Sequence, residues 1–323
     1  MAAAVSPACR VAFLGPSGTF TEAALRTEPD LARATLVAYR SFGDVLGAVA
    51  DGDADYGFVA IENSIEGSVL VALDQLIFER DLLIVREVVI PVTQNLLAPP
   101  GTGLGAVTRV LSFPHAVAQC RGWLAAHLPG AEEVAATSTA EAVRLVAEAD
   151  GAGATPGTAA IGTVLAAELY GLDVVAADIG DFGDNVTRFV LVARPDTGIP
   201  APSGHDKTSI VCFQSADRPG SLHAILGQFG ARDINLVKLE SRPTKQALGE
   251  YCFIIDFDGH VGEEIVADTL RDLHAGLREL KFLGSYPAAG AVGAARRRDA
   301  SDAWAAAEDW MAAIRGRVLP PAD

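Results

Sequence analysis

Positive charge is scarce in this sequence. Its 25 Lys and Arg face 41 Asp and Glu, a formal net charge of -16. So acidic a chain has no Lys/Arg stripe to neutralise nucleic-acid phosphates, which excludes a nucleic-acid partner. An anionic metabolite remains compatible, because it needs only a few local donors. Cysteine is scarce too. Cys9, Cys120, Cys212 and Cys252 lie far apart, with no Cys-x-x-Cys pair and no nearby His spacing. Neither a zinc site nor a disulfide framework is expected, and the four read as buried thiols in a reducing cytosol. No run approaches the ~20 apolar residues of a membrane span. Met1 to Leu14 also lacks the basic start of a signal peptide. A cytoplasmic protein with no membrane partner is the expectation. The histidines are scattered, no Ser/His/Asp set stands out, and paired carboxylates are unconvincing. No metal, cofactor or strong nucleophile is implied.

What is present is a length of 323 residues, half of them hydrophobic, enough for two domains that each bury a core. Short apolar runs alternate with helical patterns from Arg10 to Ala193, as βαβ units with a mostly parallel sheet do. One long helix is expected from Pro114 to about Ala126. Two α/β lobes with a cleft between them are the simplest architecture. Residues 195–206 are rich in Pro and Gly and read as a linker. Beyond them the order βαββαβ fits a ferredoxin-like sheet with helices on one face. In the tail a helix is expected after Ser301, with Trp304, Ala307, Met311 and Ile314 on one side and an end at Gly316.

Four segments offer chemistry, and each has a plainer alternative. Gly15-Pro16-Ser17-Gly18-Thr19-Phe20-Thr21 is a Gly-rich turn into a helix, suited to an anion but equally a capped tight turn. Ile61-Glu62-Asn63-Ser64-Ile65-Glu66-Gly67-Ser68 lies at a strand's carboxyl end, where open α/β sheets place ligands, though an N-cap cluster accounts for it as well. Ser138 and Thr139 precede a helix, where capping is the stronger explanation. Asn185 to Phe189 carries Thr187, able to hydrogen-bond a leaving oxygen, beside Arg188, whose planar fork suits a carboxylate. Thr187 is also simply a good strand former.

In this order, Gly-Pro-x-Gly-Thr-Phe, Glu-Asn-Ser-x-x-Gly, Ser-Thr-Ala and Asn-x-Thr-Arg-Phe together resemble the prephenate dehydratase family. Asp217-Arg218-Pro219-Gly220-Ser221-Leu222 and Glu240-Ser241-Arg242-Pro243 look like the phenylalanine-binding signatures of an ACT domain. The resemblance implies a periplasmic-binding-protein-like catalytic domain over 10–194, with lobes of about 10–92 with 180–194 and 93–179. It further implies an ACT regulatory domain over 207–287, followed by a tail over 288–323. The segment before Arg10 is too short for the helical mutase domain fused in some relatives, so one activity is expected. That activity is loss of water and carbon dioxide from prephenate to give phenylpyruvate. By the same resemblance Thr187 is essential for catalysis, framed by Arg188 and Phe189, and Ser17, Thr19, Asn63, Ser64, Ser138 and Thr139 bind substrate. Gly220, Ser221, Leu222, Asn235, Glu240 and Ser241 are implied to bind phenylalanine as effector, within a homodimer or homotetramer. The chain departs from the family at Ala60 (commonly Pro), at Ser112-Phe113-Pro114-His115-Ala116 and at Ser221 (commonly Ala). Arogenate as substrate, or a non-catalytic small-acid sensor, are the alternatives.

Overall fold

The computed structural model describes residues 4–151, 157–214, 218–245, 250–289, 310–311 and 313–317. In chain order the first lobe holds β1 (Arg10–Leu14), α1 (Phe20–Thr27), β2 (Thr35–Tyr39), α2 (Phe42–Ala50), β3 (Tyr56–Asn63), β4 (Gly67–Ser68), α3 (Leu70–Asp74) and β5 (Leu83–Pro91). The second holds β6 (Asn95–Ala98), β7 (Arg109–Ser112), α4 (Pro114–Gln119), α5 (Arg121–His127), β8 (Glu132–Ala135), α6 (Thr139–Gly151), β9 (Thr158–Gly162), α7 (Val164–Tyr170) and β10 (Asp173–Ala176). The chain then returns as β11 (Val186–Ala193) to a sheet of order β2-β1-β3-β11-β5, with β4 on β3.

These sheets are less parallel than the sequence suggests. β1 runs parallel to β2 and β3, but β11 re-enters antiparallel to β3, with a register irregularity between Arg188 and Phe189. In the second sheet, of order β10-β6-β9-β7-β8, β7 is parallel to β8 and β9 while β6 and β10 are antiparallel. A strand returning from the opposite lobe has no crossover helix, so it enters from the end at which β3 leaves. Alternation feeds two cores from one sheet. Leu96, Ala159 and Ile161 pack on Val117, Cys120 and Leu124, while Leu97 and Ala160 pack on Val143, Val146 and Ala166.

The expected helix from Pro114 to Ala126 is broken at Cys120. The Gln119 carbonyl accepts the Asp181 N–H at 2.7 Å, while the Asp181 carboxylate accepts Gly122 N–H at 2.7 Å and Trp123 N–H at 3.0 Å. Asp181 thereby caps a new helix, α5, and ties the chain entering β11 to the second lobe. Cys120 is enclosed there, and burial, with Asp181 adding to it, pushes its thiol up to about 12. Cys212 and Cys252 are buried as expected, whereas Cys9 is only half-buried.

The C-terminal unit comprises β12 (Asp206–Phe213), α8 (Ser221–Gly230), β13 (Leu236–Pro243), β14 (Tyr251–Asp258), α9 (Glu264–Gly276) and β15 (Glu279–Pro287), the βαββαβ order. Its antiparallel sheet runs β13-β14-β12-β15. One face carries Ile210, Cys212, Ile255 and Phe257 against Ile225 and Phe229 of α8 and Ile265, Val266 and Leu273 of α9. Residues 81–87 group with this unit, and 4–80 with 88–194 form the other. Glu87, buried, accepts both an ion pair from Lys207 Nζ at 2.9 Å and the Ala289 N–H at 3.1 Å. In the tail Met311 and Ile314 are helical and Gly316 lies in a turn, while Ser301, Trp304 and Ala307 fall outside the described residues.

Candidate active site

Every motif singled out in the first unit sits at a strand's end on one edge of a sheet. The turn 15–19 follows β1, the loop 63–67 follows β3, and β11, being antiparallel, begins at that same edge with Val186 and Thr187. In the second lobe α4, α6 and α7 start from the carboxyl ends of β7, β8 and β9. Ligands of open α/β sheets bind at such edges. Hydrogen bonds join the two edges. Thr163 Oγ1 donates to the Gly18 carbonyl at 2.7 Å and accepts Ala166 N–H at 2.9 Å, while Tyr170 Oη donates to the Ser17 carbonyl at 3.1 Å. Burial pushes the Tyr170 phenol up, so it stays a donor. Gly18 adopts φ +90°, and a Cβ there would come within 2.9 Å of Ala166, so the two lobes meet closely at this turn.

Thr187 lies opposite Asn63 in the β11–β3 register. Asn63 Nδ2 donates to Thr187 Oγ1 at 2.9 Å, to Asn185 Oδ1 at 2.7 Å and to the Val186 carbonyl at 3.2 Å. The orientation of this amide is fixed from its other end, because Asn63 Oδ1 accepts the N–H groups of Ile65 and Glu66, both at 3.0 Å. The Thr187 oxygen is therefore an acceptor toward Asn63. Its own hydrogen is left over for a ligand. Asn185 Nδ2 in turn donates to Gln119 Oε1 at 3.2 Å, and Gln119 Nε2 to Glu66 Oε1 at 3.2 Å.

The expected site residues divide by what their groups already do. Ser138 accepts Glu141 N–H at 3.0 Å as a cap, which leaves its hydrogen available, with Thr139 opening α6 beside it. Ser17 is exposed on its turn. The hydroxyls of Thr19 and Ser64 are engaged with the chain's own backbone. Thr19 donates to Leu14 O at 3.2 Å and accepts Glu22 N–H at 3.3 Å, while Ser64 donates to Asp184 O at 3.2 Å and accepts Val186 N–H at 3.0 Å. Both hydroxyls hold loops with their hydrogens committed, and each keeps one lone pair for a further donor. Arg188 faces away from Thr187, as consecutive strand residues do. It is buried, and its Nη1 lies 3.3 Å from Glu62 Oε2. Phe189 is 1% exposed and its ring stacks on Phe58 at 5.3 Å, so it holds the strand that carries Thr187. Gln119 and Thr163 escaped the sequence reading, and Glu66, though inside the Glu-Asn-Ser-x-x-Gly segment, carries no role there; only the meeting of the lobes brings them in.

In the C-terminal unit Gly220, at φ +87° and ψ -4°, precedes α8 with open space where a Cβ would stand, so the backbone conformation itself calls for glycine. Ser221 Oγ accepts Arg218 N–H at 3.3 Å and lines a cavity of about 300 Å³ with Arg218, Ile225, Gln228, Asp272 and Leu273. Leu222 does not line it. Glu240 and Ser241 lie on the edge strand β13, near the end of the sheet where α8 begins. Asn235 precedes β13 at the opposite end, where its Nδ2 donates to Asp258 Oδ2 at 3.2 Å. Within one chain Asn235 and the start of α8 at Gly220 stand at opposite ends of the sheet.

A two-lobed α/β protein with a hydroxyl and amide cleft, coupled to a βαββαβ module, defines the class. Comparison with known proteins sharpens it. The prephenate dehydratase family model matches residues 11–197 and the ACT domain model residues 208–275. A prephenate dehydratase of Mycolicibacterium vanbaalenii is 44% identical over 298 residues, 88% of this chain and 93% of that one. The crystal structure of a prephenate dehydratase from Arthrobacter aurescens in complex with L-Phe is 42% identical with a TM-score of 0.82, over 95% of this chain and 99% of that one. A structure described as a quorum-quenching acylase, GqqA, is 30% identical with a TM-score of 0.77, over 87% of this chain and 98% of that one. The chain belongs to the prephenate dehydratase family and carries an ACT domain.

Proposed function

We infer that the chain converts prephenate to phenylpyruvate, water and carbon dioxide in the cytoplasm, and that phenylalanine binding at the ACT domain inhibits it. The observation that carries the chemical reading is the Asn63–Thr187 hydrogen bond, which leaves the threonine hydrogen free. Prephenate has two carboxylates and a ring hydroxyl, so hydroxyls, amides and helix starts suit it. As the ring carboxylate leaves as carbon dioxide, its C–C bonding pair enters the ring. The C–O bond at the far ring carbon breaks, and the departing oxygen takes a proton to become water. Aromatisation drives the step. The protein has to orient the substrate and donate to the leaving oxygen, and Thr187 is the group placed for that donation. Ser138, Thr139 and Ser17 bind the carboxylates, and Arg188 contributes its charge from behind the strand.

For regulation, Gly220 and Ser221 form one half of the effector site. Asn235, at the far end of the sheet, enters a shared site only from a second chain, which supports a homodimer or homotetramer paired through ACT domains. Phenylalanine inhibits by binding the less active arrangement of the catalytic cleft more tightly than the active one. The deciding experiment is turnover by purified protein on prephenate and on arogenate, with and without phenylalanine. Phenylpyruvate formed from prephenate and suppressed by phenylalanine is the expected result. Preference for arogenate, or no turnover of either, overturns the assignment.

A further inference from the structure

Prephenate carries two carboxylates, and the groups placed on them so far are hydroxyls. Arg188, the cation next to Thr187, is turned behind the strand onto Glu62. A second basic side chain reaches the cleft from the opposite lobe. His115, on α4, has its ring stacked on Phe113, with 5.4 Å between centroids and 14° between planes. Its Nδ1 lies 3.0 Å from Glu66 Oε2 of the first lobe. Glu66 belongs to the loop that meets Thr187. Its N–H donates to Asn63 Oδ1 at 3.0 Å, and Asn63 Nδ2 donates to Thr187 Oγ1 at 2.9 Å. The other Glu66 oxygen, Oε1, accepts Gln119 Nε2 at 3.2 Å. An ionised carboxylate only accepts, so His115 Nδ1 carries a hydrogen in the neutral ring as well as in the charged one. Nε2 stands on the other side of the ring. It makes no hydrogen bond among the described residues, and the side chain is 61% exposed.

We propose that His115 is a substrate-binding residue whose Nε2, aimed by the Glu66 contact, donates to a prephenate carboxylate. The proposal rests on the reading of prephenate as substrate given above. On the prephenate ring the carboxylates lie at the end opposite the hydroxyl. With that hydroxyl at Thr187, they reach toward the second lobe, where His115 stands. The fixed tautomer makes this contact depend on charge. A protonated ring offers Nε2–H to the carboxylate as a charge-assisted bond. A neutral ring keeps its one hydrogen on Nδ1 for Glu66 and turns a lone pair to the substrate, so the bond is lost together with the charge. Glu66 is the charged group bonded to the ring. Pro114–Gln119, the helix that carries His115, holds no other charged side chain. Asp181, against the junction of α4 and α5, is committed to the N–H groups of Gly122 and Trp123. Histidine is the side chain that changes charge between pH 5 and 8, so prephenate should bind more tightly toward the acid end of that range.

The test is KM for prephenate at about pH 6 and about pH 8.5, with enzyme-free blanks subtracted. The parent KM is expected to rise roughly 10-fold across that range, the scale of a lost hydrogen bond to a charged group. His115→Ala should raise KM roughly 10-fold at the lower pH and leave it near the parental value at the higher one. His115→Gln supplies a donor that does not titrate, so its KM should agree at the two pH values within about twofold. Glu66→Gln accepts from Gln119 and donates to Nδ1, which leaves the hydrogen of a neutral ring on Nε2. Its KM should therefore rise by less than about threefold. In each variant kcat should change less than KM, and circular dichroism melting confirms folding. A parent KM that is flat with pH overturns the proposal. So does a His115→Gln variant that keeps the parental rise, or a His115→Ala variant with parental KM at the lower pH. The substrate reading fails differently: a parent that forms no phenylpyruvate from prephenate overturns that reading, whereas turnover with a KM insensitive to His115 overturns only the role given to His115.

Discussion

Replacing Thr187 by valine removes the hydroxyl and little else. The β-branch survives, so the strand's conformational preference and its packing are kept. Asn63 Nδ2 loses one acceptor at 2.9 Å but retains Asn185 Oδ1 at 2.7 Å and the Val186 carbonyl at 3.2 Å. The stability cost is therefore bounded by about 1 kcal/mol, the net worth of one hydrogen bond. For a unit of this size that lowers the melting temperature by roughly 2–4 °C. Activity should respond far more strongly. Losing a single donor aimed at developing negative charge costs on the order of 100- to 1,000-fold in kcat. At ~1.36 kcal/mol per decade, that is about 3–4 kcal/mol of transition-state stabilisation, several times the stability loss. Thr187→Ser restores the hydroxyl and should recover most of the rate, short of what its extra rotameric freedom loses. The assay is phenylpyruvate formation from prephenate by purified parent and variant proteins, with melting curves recorded alongside. A valine variant within about threefold of the parent kcat, or a serine variant as slow as valine, refutes the donor role.

Other consequences can be checked in the same preparations. Gly220→Val forces a β-branched residue into φ +87°, at a cost of about 1–2 kcal/mol, and should abolish phenylalanine binding by calorimetry and inhibition in the assay. Lys207→Ala removes the Lys207 ion pair from the buried Glu87 carboxylate and should destabilise the C-terminal unit by about 1–3 kcal/mol, read from urea unfolding. Alkaline pH gives a signed prediction: burial raises the Cys120 and Cys212 thiols from 9.0 to about 12. Because the unfolded chain releases these protons first, the stability they contribute is intact below the unfolded value and is lost as pH rises through the folded one. In a Cys9→Ser background, which removes the half-buried thiol, ultraviolet thiolate absorbance should therefore appear together with unfolding, and its appearance in the native protein near pH 9 would contradict the burial.

Much of the fold could be read from particular residues. Thr19 and Ser41 announce α1 and α2 because a hydroxyl three residues before a backbone N–H has one favoured use. The βαββαβ order was legible because each element carries its own period. The break at Cys120 was not, since Asp181, 59 residues beyond Gly122 in sequence, makes it by a contact that no local pattern records. The direction of β11 was equally hidden: an apolar run is the same in either sense, and the reversal follows from the chain crossing between lobes. At the site, Asn63, Asn185 and Thr187 all lie in motifs legible in the sequence. Gln119 was not legible, because a glutamine is an ordinary surface residue until two lobes meet. A hydroxyl in a loop has the same letter whether its hydrogen is committed to the backbone, as in Thr19 and Ser64, or available.

How much acid strength the reaction asks of Thr187 follows from this arrangement. An unperturbed threonine is a very weak acid, and full transfer of its proton would leave an alkoxide on a strand residue that is 8% exposed. Two features lower that demand. The electrons released with carbon dioxide already push the C–O bond toward breaking, so the leaving oxygen gathers its negative charge gradually and calls for a hydrogen bond throughout rather than a complete early transfer. The Asn63 N–H on the Thr187 oxygen also polarises the hydroxyl, because each donor in such a chain strengthens the next. A shared hydrogen bond backed by an amide is thus sufficient at the moment of C–O cleavage, with solvent supplying the proton that turns the departing hydroxide into water. A stronger acid in the same place would itself titrate, and one that had lost its proton would repel the prephenate carboxylates. A hydroxyl held as a donor by its neighbours avoids both.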